Sequence, residues 1–189
     1  MITANDIITI DNNAIRIDNP KIVKRFEDSI IPTRGSTSAA GLDLYSHDEV
    51  NIYPGETVKI DTGISIELPK GTFGAIFARS GLATKQGLRP ANCVGVVDAD
   101  YRGPVIVALH NDSNEIRNIA KGDRIAQLVI IPYCVVNFEI TDKVADMSDT
   151  ERGTNGFGSS GKWFWENWTN IFNLPIIKII YSIKNIKEK

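Results

Sequence analysis

The stretch ETVKIDTGISIELPKG, residues 56–71, decides the fold class. Val58 and Ile60, then Ile64, Ile66 and Leu68, recur at every second position. Successive side chains of a strand point to opposite faces, so this period turns one apolar face to a core and one polar face outward. The pattern continues upstream in IVKRF (22–26), GLDLYS (41–46) and VNIYPG (50–55), with the turn-rich PTRGST (32–37) between the first two. Downstream it continues in GTFGAIFAR (71–79), PVIVALHN (104–111), RIAQLVIIP (124–132) and VVNFEI (135–140), each expected as a strand. SGLATKQG (80–87) has room for one or two helical turns, and no long amphipathic helix precedes residue 162. Short strands at irregular spacing give an all-β fold, a sandwich or jelly roll rather than βαβ units. GxxxxGKS does not occur, and GFGSSG (156–161), although it has GxGxxG spacing, is not set in a βαβ unit, so any phosphate site must be built from turns and strand ends.

A chain of 189 residues is enough for one domain with a real core. Its net charge of −2 argues against broad nucleic-acid binding but allows a local basic pocket. Cys93 and Cys134 offer no disulfide framework, which fits a reducing compartment, cytoplasmic or nuclear. The opening ITANDIITID lacks a basic, apolar leader, so no secretion signal is expected. No run of 18 apolar residues exists to span a bilayer. Residues 1–20 read as an extension with two short strands, IITI and AIRI, around a DNN turn. Composition changes at Lys162: the tail holds all three tryptophans, no glycine, and five lysines against two glutamates. The expected organisation is an extension (1–20), a β core (21–151), a glycine-rich strap (152–161) and a basic aromatic tail (162–189).

Five clusters carry candidate chemistry. In AAGLDLYS, Asp43 opens a strand; it is a turn or edge residue, or a carboxylate orienting magnesium. In ARSGLATKQG, a strand ending in Arg79-Ser80-Gly81 can aim a guanidinium, a hydroxyl and backbone N–H groups at one anion. In NCVGVVDADYRG, residues 92–103, valines lead into Asp98, Asp100, Tyr101 and Arg102. Were that segment a strand, Asp98 and Asp100 would share a face and repel; a solvated hairpin turn is the plainer reading. In KGDRIAQLVI, strict alternation puts Gln127 on the face of Ile125 and Val129, either hydrogen-bonded in the core or reaching a pocket. In RGTNGFGSSG, residues 152–161, four glycines surround one aromatic residue. This is a linker, or a strap whose Arg152 meets phosphate and whose Phe157 stacks on a base.

Taken in this order, from Lys21 to Gly161, the five clusters resemble the five motifs of the trimeric deoxyuridine triphosphate nucleotidohydrolases (dUTPases). The resemblance implies a distorted jelly roll of the β-clip kind and hydrolysis of dUTP to dUMP and pyrophosphate. It further implies a homotrimer with shared active sites, Mg²⁺ as cofactor and no direct nucleic-acid binding. Asp98 is implied as general base, and Asp43 as the residue holding the hydrated metal through water. Arg79, Ser80 and Gly81 are implied to bind phosphates, with Gln127 contacting phosphate from a neighbouring subunit. Asn92, Gly95, Val96, Val97 and the backbone up to Asp98 would read uracil and exclude a 5-methyl group. Tyr101 would lie against the deoxyribose and leave no room for a 2′-hydroxyl, and Ile106 would line the same pocket. Arg152 would reach the γ-phosphate, Phe157 would cover the uracil, and Gly158, Ser159 and Ser160 would close on the triphosphate. Leu42 and Asn155 depart from the residues many members carry, tyrosine and glycine.

A deaminase on the same fold, a non-catalytic regulator on the same scaffold and a plain structural β module are the competing readings. The crowding of polar residues at turns argues against the last. For the tail, Ile176, Ile179 or Ile180, and Ile183 recur at helical spacing after Pro175. Residues 162–189 are expected to cover their own trimer, to dock a protein partner or to lie on a membrane surface.

Overall fold

The computed structural model describes residues 8–11, 14–17 and 19–156. In chain order the strands are β1 (Ile8–Asp11), β2 (Ala14–Ile17), β3 (Lys21–Lys24), β4 (Thr33–Arg34), β5 (Leu42–Tyr45), β6 (Val50–Ile52) and β7 (Thr57–Asp61). They continue with β8 (Ile64–Glu67), β9 (Thr72–Phe77), β10 (Leu88–Pro90), β11 (Gly95–Val97), β12 (Ile106–Asn111), β13 (Arg117–Ile119) and β14 (Arg124–Pro132). The one α-helix among the described residues, α1 (Ser80–Gln86), follows β9. It ends at Gly87, whose φ of 68° needs no Cβ to be tolerated. The all-β expectation holds, and so does the short helix at 80–87. The extension forms the expected hairpin, with β1 antiparallel to β2.

The strands form a distorted jelly roll of antiparallel sheets. The largest sheet has the order β11-β9-β14-β5-β4, beside a sheet β10-β12-β7 and the pairs β13-β6 and β3-β8. Residues 56–71 behave as their period requires. Ile60, Ile64, Ile66 and Leu68 are buried, Asp61, Ser65 and Glu67 between them are half-buried, and Thr62 is buried where the chain turns. The two strands of this stretch nevertheless join different sheets: β7 pairs with β12 and β8 with β3. The chain changes sheet at Thr62-Gly63, where Gly63 adopts φ 73° and the Ser29 hydroxyl donates to its carbonyl at 2.7 Å. Leu44, Ile52, Leu88, Leu109, Ile119 and Ile125 complete the core between the sheets.

Asn111, fully buried at the end of β12, ties that core to its rim. Its amide donates to the carbonyls of Ile52 at 2.9 Å and Glu115 at 2.8 Å, and its Oδ1 accepts from the Ser113 N–H and hydroxyl. Next to it, Arg89 donates twice to Asp112, at 2.5 and 3.0 Å. That grip holds the Asp112 carboxyl below the usual carboxylate range and fixes β10 to the end of β12.

VVNFEI was expected as a strand, and no strand is present there among the described residues. Val135, Val136, Phe138 and Ile140 are exposed. A strand needs a partner edge for its backbone groups, and none is paired with this segment. The chain divides into two units, Met1–Val136 and Asn137–Lys189. Within the second, a single 3₁₀ turn, Val144–Asp146, is described. No described helix is long and apolar enough to cross a membrane. The tail from 162 lies outside the described residues.

Asn111→Leu would fill the same space but orphan the groups that Asn111 satisfies. Its cost should be about 3 kcal/mol, read as a lower urea midpoint at unchanged far-ultraviolet dichroism of the folded state.

Candidate active site

The first half of the site is an edge. β11 closes one end of the five-stranded sheet, pairing only with β9, so its outer N–H and C=O groups have no strand partner there. Opposite that edge runs β12, and between them lies a cavity of 270 Å³ lined by Asn92, Gly95, Ile76, Ile106 and Ala108. Three residues singled out from the sequence, Asn92, Gly95 and Ile106, thus come together. Val96 is exposed beside them, whereas the Val97 side chain is in the core and offers only its backbone. The loop before β11 is tight: the Val94 N–H donates to the Asn92 carbonyl at 2.6 Å around Cys93, whose φ is 60°. Such a three-residue turn in a non-glycine residue is strained by roughly 1–3 kcal/mol. It fixes Asn92 at the cavity mouth.

β11 ends at Val97, so Asp98 and Asp100 do not share a strand face. Asp98 to Tyr101 form a turn, closed by the Tyr101 N–H donating to the Asp98 carbonyl at 3.1 Å. The solvated turn was read correctly, but it is not a hairpin, because β11 and β12 on either side of it belong to different sheets; both carboxylates are exposed, and solvent relieves their repulsion. Arg102 braces the turn by donating to the carbonyls of Ala99 at 2.6 Å and Tyr101 at 2.9 Å. A larger cavity, of 740 Å³, lies against the same turn, with Asp98, Asp100, Arg102 and Lys70 in its wall.

The second half is an ion cluster. Asp43 on β5 accepts from Arg79 Nε at 2.9 Å through one oxygen and from Arg124 Nη1 at 3.2 Å through the other. Arg79 also donates to the Arg124 carbonyl at 3.1 Å. Two guanidiniums on one carboxylate leave a net positive charge, fit for an anion. Arg79 is extended, with φ −84° and ψ 128°, and stands immediately before α1. Ser80 and Gly81 are the first helical residues, and Arg79 offers no side-chain cap to the first-turn N–H groups, which remain available to an anion. Arg124 escaped the sequence reading. Its signal was a basic residue three positions before Gln127 at the start of the same strand.

Gln127 does not share a face with Ile125. The β14–β5 register shifts between Arg124 and Ala126, so Ile125, Ala126 and Leu128 are all buried while Gln127 is half-buried. A bulge accommodates the extra residue and re-aims the side chains after it. Gln127 instead lies opposite Asp43 on one side and Phe77 on the other. Its amide donates to the Ala78 carbonyl at 2.9 Å, immediately before Arg79. Gly41 makes room for it: a Cβ there would stand 2.4 Å from Gln127 Oε1.

Asp98 and Arg79 lie at opposite ends of β9. Val97 pairs with Gly74, which sets Asp98 level with Phe73. Arg79 stands six residues further along extended chain, a separation of about 20 Å at the rise of a strand. One chain therefore carries both Asp98 and Arg79 but holds them apart.

The sequence and the jelly roll that carry this arrangement are similar to those of known proteins. The family model for dUTPase matches residues 27–161. The chain belongs to the dUTPase family. A deoxyuridine 5′-triphosphate nucleotidohydrolase of Nautilia profundicola is 48% identical over 142 residues, covering 75% of this chain and 98% of the relative. One from Desulfitobacterium hafniense is 47% identical over 134 residues, covering 69% and 87%. Among solved structures, the dUTPase of Staphylococcus bacteriophage 80alpha with dUPNHPP superposes with TM-score 0.67 at 27% identity, over 76% of this chain and 99% of that one.

The dUTPase match ends with the strap, of which residues up to Gly156 are described. Arg152 Nε donates to the Asn155 carbonyl at 2.9 Å, and Gly153 takes φ 52°. Phe157, Gly158, Ser159 and Ser160 lie outside the described residues. Among the described residues no group of three His, Cys, Asp or Glu side chains is placed to hold a metal. Asp43 uses both oxygens on arginines, yet each carboxylate oxygen keeps a second lone pair. That suits a hydrogen bond from a metal-bound water rather than direct ligation, and Mg²⁺ usually keeps several waters.

Gly41→Ala should push the Gln127 amide off the Ala78 carbonyl. Overpacking of this kind costs about 1–3 kcal/mol, measurable by urea unfolding, with a matching loss of pyrophosphate affinity by calorimetry.

Proposed function

We infer that two copies of this chain complete each catalytic site. The chain hydrolyses dUTP to dUMP and pyrophosphate. The observation that carries the shared site is the separation of Asp98 from Arg79 along β9, which one bound triphosphate cannot bridge within a single chain. A neighbouring copy supplies the second half, and the family resemblance gives the number of copies as three.

Uracil enters the cavity beside β11, where unpaired backbone groups and Asn92 meet its edge and the narrow floor at Gly95 and Ile106 excludes a 5-methyl group. Tyr101 covers the deoxyribose. The phosphates lie on the neighbour's Arg79, Ser80 and Gly81, with Gln127 and Asp43 behind them. Asp98 takes a proton from a water, whose oxygen forms a bond to the α-phosphorus. The bond from that phosphorus to the bridging oxygen breaks, and pyrophosphate leaves with the electron pair. Asp98 is exposed and comes directly after the edge strand, where a water and a phosphate both have access. Mg²⁺ carried by the triphosphate would neutralise the charge that develops on the leaving group, with Asp43 orienting its waters. Arg152 reaches the γ-phosphate and Phe157 to Ser160 close over the nucleotide, excluding water that would weaken these charges.

The reading is tested by incubating the protein and Mg²⁺ with dUTP, dTTP, dCTP or UTP and measuring pyrophosphate. Preference for dUTP should be on the order of a thousandfold or more, as steric exclusion and paired base-edge groups allow; comparable turnover of UTP or dTTP would sink it. The shared site is tested by mixing. Asp98→Asn alone should lower turnover about a hundredfold to ten-thousandfold while nucleotide still binds, and Arg79→Ala alone should also be inactive. Mixed oligomers of the two contain sites with an intact Asp98 from one chain and an intact Arg79 from the other. Activity should return on mixing; verified mixed oligomers that stay inactive would refute sharing.

A further inference from the structure

Tyr101 is exposed, yet its ring occupies one place. Its hydroxyl donates to the Pro104 carbonyl at 3.1 Å, and the ring lies against Gly103. A Cβ on Gly103 would stand 2.4 Å from the Tyr101 hydroxyl oxygen, 2.6 Å from Cζ and 3.0 Å from Cε2. Real side chains do not approach so closely, so the ring rests where only a glycine permits it.

The backbone beneath the ring cannot retreat. The Ser65 hydroxyl on β8 donates to the Gly103 carbonyl at 2.9 Å. Two residues on, Val105 is buried, its N–H donating to Ile64 at 2.9 Å and its carbonyl accepting from Thr62. On the other side, Arg102 and the Asp98–Tyr101 turn are hydrogen-bonded in place. Gly103 does not take a positive φ, so its backbone imposes no need for glycine. The requirement comes from the ring above it.

We propose that Gly103 is a specificity-determining residue: by seating the Tyr101 ring it sets the space left for the sugar, and so the discrimination of deoxyribose from ribose. This rests on the reading of Tyr101 as the cover of the deoxyribose. An added methyl at 103 lifts the ring and breaks the Pro104 bond. The position at which the ring would exclude a 2′-hydroxyl is then lost, while the uracil pocket and the phosphate cluster keep their residues.

The test compares kcat/KM for dUTP and UTP, and affinity for the α,β-imido analogues of both, in the parent protein and in Gly103→Ala. The dUTP-to-UTP ratio should fall by about tenfold or more in Gly103→Ala. Tyr101→Phe adds no atom and removes only the anchor to Pro104; it should lower the ratio in the same direction by less, and it keeps the proposal testable should Gly103→Ala not fold. In a Tyr101→Ala background the Gly103→Ala change should no longer move the ratio, because two residues acting through one contact are not additive. A ratio within about twofold of the parent in both single variants, or an undiminished effect of Gly103→Ala without the ring, overturns the proposal. A parent protein that turns over UTP as well as dUTP instead fails the sugar reading itself, and the inference falls with it.

Discussion

The pairing of β14 with β9, six residues in unbroken register from Gln127↔Phe77 to Pro132↔Thr72, is the constraint on which both halves of the site depend. It holds β9 between β14 and the edge strand β11. One end of β9 runs on to Arg79. Along its other side lies β11, whose exit delivers Asp98 to the far end. The same β14 carries Arg124 and Gln127 to the Arg79 end, and β5, on its other side, brings Asp43. A strand is a stiff spacer, so its two ends cannot meet. The strand that organises the site therefore also keeps Asp98 and Arg79 apart.

The electrostatics depend on the same frame. Asp43 is held between two arginines that come from different strands. Its single charge orients them without cancelling both, so the cluster keeps a net positive charge. Near Asp98 the arrangement is reversed: two carboxylates stand in a solvated turn, with Arg102 spent on backbone carbonyls. Asp98 stands about 20 Å from Arg79 along β9, so its carboxylate does not neutralise that guanidinium.

Glycines at this site serve neighbours more than themselves. Gly41 yields space to the Gln127 amide and Gly103 yields it to the Tyr101 ring. In both cases the missing Cβ fixes where a neighbouring side chain lies. Cys93 does the opposite. It is a non-glycine residue at φ 60°, and its strain keeps the loop that presents Asn92 short.

Much of this was legible in the sequence. Alternation located the strands around residues 57–68, because a buried face must repeat every second residue. Five motifs in order identified the family, since each stands at a turn or strand end where the chemistry needs those residue types. Partners were not legible: β7 and β8 read as one continuous pattern yet join different sheets, because period reports burial and not which edge a strand meets. The face of Gln127 was misread because one inserted residue at Ile125 breaks the alternation, and only the neighbouring strand reveals the bulge. Arg124 was invisible as a partner of Asp43, being 81 residues away in the chain. VVNFEI has the composition of a strand, but a strand exists only where another edge accepts it, and no such edge among the described residues does. Local chemistry is written in the order of residues; distance between the halves of the site is a property of the sheet, and only the folded chain fixed it.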